Sequence, residues 1–161
     1  MRWINLPGSE NSIRAPYFRL LSVSGEPYHL DQFRGRYNLI LFFGHSLQCP
    51  ACYEMLRQFS VLRDDYLDRN AKVLSIWSQD EALIMPTKKM IDFPIILLDD
   101  QQITRRLYYD FIASEDRQDA MIFVMDRFGS PFAAAVGDEF DITIHDEILN
   151  WLDFIELQCP E

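Results

Sequence analysis

Tyr37-Asn38-Leu39-Ile40-Leu41-Phe42-Phe43, then Gly44-His45-Ser46-Leu47-Gln48, then Cys49-Pro50-Ala51-Cys52 is the stretch that decides the fold. Residues 39–43 are all apolar. A strand with one wet face would alternate, so this run predicts a strand covered on both faces, the central strand of an α/β sheet. Gly44 is expected to end it, where a flexible φ helps the chain turn toward a helix. Pro50 suits the first helical position, since its missing N–H has no partner to lose there. Beyond it, Met55, Leu56, Phe59, Leu62, Tyr66 and Leu67 form a helical apolar stripe. Two thiols are thus delivered to the first turn of a helix, just past the carboxyl end of a buried strand.

That position has chemical consequences. A helix N-terminus carries unpaired N–H groups and partial positive charge, which favour a thiolate over a thiol. A cysteine titrating at about 8.5 is mostly protonated at neutral pH, whereas one shifted to about 6.5 is mostly thiolate. Cys49, at the tip, is expected to be the more activated and exposed sulfur. Cys52, one turn inside, is placed to attack a mixed disulfide or sulfenic acid formed on Cys49. A redox dithiol is the sharpest reading. Three others stand beside it: inert packed thiols, a zinc site assembled from His45, Cys49, Cys52 and Cys159, and a remnant pair on a redox-silent binding domain. A lone C-x-x-C in a βα context favours the redox motif.

The remaining composition narrows the class. A chain of 161 residues is one domain by length and needs no disulfide staples to bury a core. Its apolar content of 48% excludes disorder of the whole chain. A net charge of −10 argues against nucleic-acid and membrane surfaces as partners. No apolar stretch approaches the ~20 residues needed to span a bilayer, and the first residues do not resemble a secretory signal. The expected location is the cytoplasm, and no cofactor or metal is expected.

Working outward, residues 1–14 read as a loose N-terminal arm, with Trp3, Ile4 and Leu6 docking on a neighbour or on the domain itself, and residues 15–161 as the domain proper. Segments 15–20 and 28–30 flank a turn composition at Ser24-Gly25-Glu26-Pro27 and predict a hairpin. Residues 71–77 read as a second parallel strand, 80–90 as a weak helix interrupted at Pro86, and 93–98 as another short strand. Asp100 is expected to cap a helix over 101–109 whose inner face is Ile103, Leu107 and Tyr108. Residues 121–125 and 131–136 form a hairpin about Asp126-Arg127-Phe128-Gly129, and a last helix covers about 144–157. The expected architecture is a mixed sheet flanked by helices.

With these pieces in order, residues 15–157 resemble the thioredoxin-fold alkyl hydroperoxide reductase / thiol-specific antioxidant superfamily, which holds peroxiredoxins and thiol–disulfide oxidoreductases. The resemblance is carried by Ala15-Pro16-Tyr17-Phe18-Arg19-Leu20, Leu30-Asp31-Gln32-Phe33-Arg34-Gly35-Arg36, the buried strand, Cys49-Pro50-Ala51-Cys52, Phe93-Pro94-Ile95 and Phe123-Val124-Met125-Asp126-Arg127-Phe128-Gly129. It implies a thioredoxin-like fold and a thiol-dependent redox enzyme, a peroxidase or disulfide oxidoreductase. Cys49 matches the attacking cysteine, Cys52 the second cysteine of the C-x-x-C subgroup, and Ser46 the peroxide-bonding hydroxyl. His45 is a further supporting candidate as proton partner or cation. The implied partners are a peroxide or disulfide substrate, a thiol electron donor, thioredoxin-like or of low molecular weight, and a second copy of the chain in a homodimer.

The chain also departs from both subgroups. Phe42 stands where peroxiredoxins carry a proline, and Gln48 where reductases carry Trp. Ala120 replaces the reductases' cis-proline and the peroxiredoxins' arginine, and Arg117 is the nearest arginine in sequence to that position. Among other residues, Glu54 is weighed as a proton acceptor beside Arg57, Trp77 as a pocket wall, and His29 and His145 as structural or exposed.

Overall fold

A computed structural model describes residues 1–8, 10, 13–44, 49–78, 93–115, 119–141 and 143–158. The predicted central strand is β4, Asn38–Phe43, and all six of its residues are buried. Its side chains divide by the alternation of the pleat. Ile40 and Phe42 enter one hydrophobic cluster, while Leu39, Leu41 and Phe43 enter the other. The unbroken apolar run therefore reports two covered faces.

The other strands are β1 (Arg2–Asn5), β2 (Arg19–Ser22), β3 (Pro27–His29), β5 (Ala71–Trp77), β6 (Ile95–Leu98), β7 (Ala120–Met125) and β8 (Pro131–Gly137). They form one sheet in the order β1-β8-β7-β4-β5-β6-β2-β3. The strands β4, β5 and β6 run parallel, whereas β7 lies antiparallel to β4 with Phe43 opposite Met121. Among the described residues the helices are α1 (Pro50–Val61), α2 (Arg63–Asp68), α3 (Ile103–Phe111) and α4 (Thr143–Gln158). Met55, Leu56 and Phe59 of α1 and Ile144, Ile148, Leu152 and Ile155 of α4 fill the first cluster. Tyr108 and Tyr109 of α3 join Phe18, Leu30 and Phe33 in the second. The fold is thioredoxin-like α/β, with a central mixed sheet between two helical layers and β2–β3 as the N-terminal hairpin.

Three expectations change. Residues 2–5 are not a loose arm: β1 pairs antiparallel with β8, Arg2 opposite Val136 through Asn5 opposite Ala133. Trp3 also donates from Nε1 to Glu147 at 2.8 Å and packs on Trp151. Sequence periodicity missed it because a four-residue edge strand is too short to show a pattern. The stripe expected to run from Met55 to Leu67 is broken at Leu62, where α1 stops and α2 begins.

The first turn of α3, whose N-cap position is Gln102, is capped from Asp99; the side chain of Asp100, the expected cap, lies outside what the structure describes. The Asp99 carboxylate, 2% exposed, accepts the N–H groups of Thr104 and Arg105, each at 2.9 Å. Gln101 and Gln102 both adopt positive φ, which shifts the helix start to Ile103. Thr104, Tyr108 and Tyr109 then form its buried face, leaving Ile103 and Leu107 in solvent. The predicted helix over 80–90 lies outside the described residues. No helix among those described is long and apolar enough to cross a membrane.

Candidate active site

The carboxyl ends of the parallel strands converge on one edge of the sheet, and α1 starts there. Cys49 is the N-cap of α1, with extended φ/ψ of −81° and 116°, and Pro50 is the first helical residue. The Cys49 carbonyl accepts the first intrahelical bond, from Tyr53 N–H at 3.3 Å. Its thiol makes no capping bond and is half-buried, at the border between core and solvent. Cys52, three residues on, is fully buried in the first hydrophobic cluster. Cys49 is therefore partly exposed while packing on the first cluster, and Cys52 lies wholly within that cluster. An N-cap and the third helical residue are one turn apart, so their side chains share a helix edge.

Gly44 ends β4 for a reason other than the one expected. It has no positive φ. Instead, a Cβ built on it would lie 2.1 Å from Cη2 of Trp77 and 2.6 Å from Cζ2. The indole of Trp77, 1% exposed, lies directly against the glycine backbone. It is held by an Nε1–H bond to Ser75 Oγ at 2.6 Å and an edge-on contact with Phe42. Trp77 is thus a core residue that fixes the strand end rather than a pocket wall. Phe42, at the position of the peroxiredoxins' proline, is likewise core, packed on Phe59, Trp77 and Phe140.

Arg105 approaches the same strand end from α3. Its guanidinium donates to the Gly44 carbonyl at 2.5 Å, to the Asp119 carbonyl at 2.7 Å and to Tyr109 Oη at 2.8 Å. Tyr109 Oη also donates to the Asp119 carbonyl. The residue after Asp119 is Ala120, fully buried at the start of β7. A cation from another element therefore stands beside position 120. Sequence reasoning missed it because Arg105 is 56 residues from Cys49 and belongs to no motif. Its one sequence signal is its place four residues before Tyr109, on the same helical edge.

The other candidates separate. His45, Ser46, Gln48, Arg117 and Cys159 lie outside the described residues, so two of the four zinc candidates do as well. Among the described residues no group of histidines, cysteines and carboxylates is placed to hold a metal. Glu54 and Arg57 form an exposed bidentate pair at 2.6 and 2.9 Å. Arg57, with the Gln58 amide, holds the Glu54 carboxyl down to about 2, so Glu54 is a poor proton acceptor. His145 is buried, sharing a 2.7 Å hydrogen bond with Tyr66 Oη, and burial pushes its imidazole down to about 4.

Comparison with known proteins agrees with this architecture. The model of the AhpC/TSA family matches residues 13–129. Peroxidoxin BcpB from Mycobacterium tuberculosis superposes with a TM-score of 0.72 at 17% identity, over 89% of this chain and 96% of that one. The reduced 2-Cys peroxiredoxin of Plasmodium vivax gives 0.70 at 21% identity, over 90% and 95%. A putative thiol:disulfide interchange protein DsbE from Chlorobium tepidum gives 0.64 at 20% identity, over 86% and 95%. No curated protein sequence matches the chain at a significant level.

Proposed function

Because the chain belongs to the AhpC/TSA family, we propose that it is a thiol-dependent peroxidase that works through a Cys49–Cys52 dithiol. The observation that carries this reading is the pairing of a half-buried N-cap thiol with a buried thiol one helical turn inside. The Cys49 thiolate attacks one peroxide oxygen and the O–O bond breaks. Cys49 becomes a sulfenic acid, and the alkoxide or hydroxide takes up a proton and leaves as alcohol or water. The Cys52 sulfur then attacks the sulfenic sulfur, forming the disulfide and releasing water. An external dithiol returns two electrons and two protons and becomes a disulfide itself.

Closure requires Cα atoms about 4.4–6.8 Å apart, a range compatible with one turn of helix. It also requires the first turn to open slightly, because Cys52 starts within the core. Loss of that burial would favour re-reduction, since the buried thiol packs as a small hydrophobe. In this reading the Ser46 hydroxyl hydrogen-bonds the peroxide and His45 serves as proton partner or cation for Cys49, from which they are three and four residues away in sequence.

Mild peroxide treatment followed by peptide mass spectrometry tests the reading. The peptide holding both cysteines should lose two hydrogens, and stopped-flow mixing should show turnover that Cys49→Ser abolishes. An unchanged pair with no turnover would leave a redox-silent binding domain. The C-x-x-C spacing supports a second reading, disulfide exchange, in which Cys49 attacks an S–S bond and Cys52 releases the mixed disulfide. Faster reaction with a disulfide peptide than with peroxide would select it.

A further inference from the structure

We infer that Arg105 is a positioning residue for Cys49, acting through the strand end from which the cysteine turn departs. The inference rests on the dithiol reading above and adds a residue to it from a different element. Gly44 is the last described residue before Cys49, and it is gripped from both sides of the sheet. The Trp77 indole, part of the first hydrophobic cluster, leaves no room for a Cβ on one side. From the side of the second cluster, which holds its neighbours Tyr108 and Tyr109, the Arg105 guanidinium bonds the glycine's carbonyl oxygen.

The same planar fork also reaches the Asp119 carbonyl, which leads into β7. Because β7 is antiparallel to β4 and Phe43 faces Met121, the two carbonyls lie at the same end of these adjacent strands, one just after β4 and one just before β7. A guanidinium presents several donors in a fixed plane, so it can tie two such carbonyls together where an ammonium offers a single point charge. Tyr109 Oη completes the arrangement by accepting from Arg105 and donating to Asp119. Arg105 itself is fixed at its backbone, since its N–H is bonded by the buried Asp99 carboxylate. The chain Asp99–Arg105–Gly44 thus couples the start of α3 to the start of the cysteine turn.

The test measures alkylation of Cys49 in the full chain by iodoacetamide at neutral pH, with the site confirmed by peptide mass spectrometry. Arg105→Ala should slow the reaction about tenfold. Millimolar guanidinium ion, too dilute to unfold the protein, should restore most of the rate, while equal sodium chloride should not. Arg105→Lys should fall between wild type and Arg105→Ala and should not respond to guanidinium. A structural weakening alone would not be repaired by the free ion. If Arg105→Ala does not fold, Arg105→Gln takes its place with the same expected slowing. A folded Arg105→Ala that reacts at the wild-type rate, or is slowed but not rescued, overturns the inference, as does a folded Arg105→Gln that reacts at the wild-type rate. Wild-type Cys49 reacting no faster than cysteine in an unstructured peptide would instead overturn the dithiol reading.

Discussion

Replacing Gly44 by alanine tests whether the end of the central strand is held by packing. The new Cβ would sit 2.1 Å from Trp77 Cη2, 2.6 Å from Cζ2 and 2.7 Å from Cζ3. Carbon atoms in contact prefer about 3.5–4.0 Å, so the indole must retreat by more than an ångström. It cannot do so freely, because it is 1% exposed, packed edge-on against Phe42 and bonded through Nε1 to Ser75. Overpacking of this kind costs about 3 kcal/mol, at the upper end of its usual range. For a chain of this size that corresponds to a fall of about 6–12 °C in Tm.

Urea unfolding measures the cost directly. A background in which Trp3 and Trp151 are phenylalanine isolates the emission of Trp77, which should change as the ring is displaced. Trp77→Leu added to Gly44→Ala should cost less than the sum of the two single changes, because each relieves the clash that the other senses. An alanine variant within about 0.5 kcal/mol of its parent, with unchanged Trp77 emission, would refute the packing argument.

Three further outcomes are expected. Cys52→Ser should leave the first step intact, so that after one equivalent of peroxide a sulfenic acid on Cys49 is trapped by a dione reagent; equal trapping in wild type would remove Cys52 from the reaction. Asp99→Ala deletes the acceptor for two N–H groups at the start of α3 and should cost about 1–2 kcal/mol in urea unfolding, whereas a loss near zero would mean that the helix start is held by other contacts. Burial holds the His145 imidazole near 4, while in the unfolded chain it titrates near about 6.5. Between those values the unfolded state binds more protons, so stability present above about 6.5 is lost as the pH falls toward 4, by about 3 kcal/mol in all. His145→Gln should flatten that dependence, and an identical pH profile in both proteins would reject the assignment.

The legibility of the chain followed the range of the interactions involved. Residues 39–43, the proline after Cys49 and the stripe of α4 were readable because each is set by neighbours within one or two turns or pleats. The two cysteines were readable as a candidate site for the same reason, since strand end, turn and helix start are consecutive. Capping was harder. Two left-handed glutamines fold the chain back between Asp99 and Ile103, so that a carboxylate four residues before the helix reaches its first-turn N–H groups. β1 gave no signal, because four residues carry no period and its partner β8 lies more than 120 residues away.

By itself the sequence determined a buried central strand, a helix beginning at Cys49 and a pair of thiols one turn apart, because these depend on alternation, proline geometry and local spacing. Only the tertiary structure decided why Gly44 has no side chain and which arginine stands at the strand end. Those depend on Trp77 from β5 and Arg105 from α3, and contacts between distant segments leave no periodic trace in a linear chain.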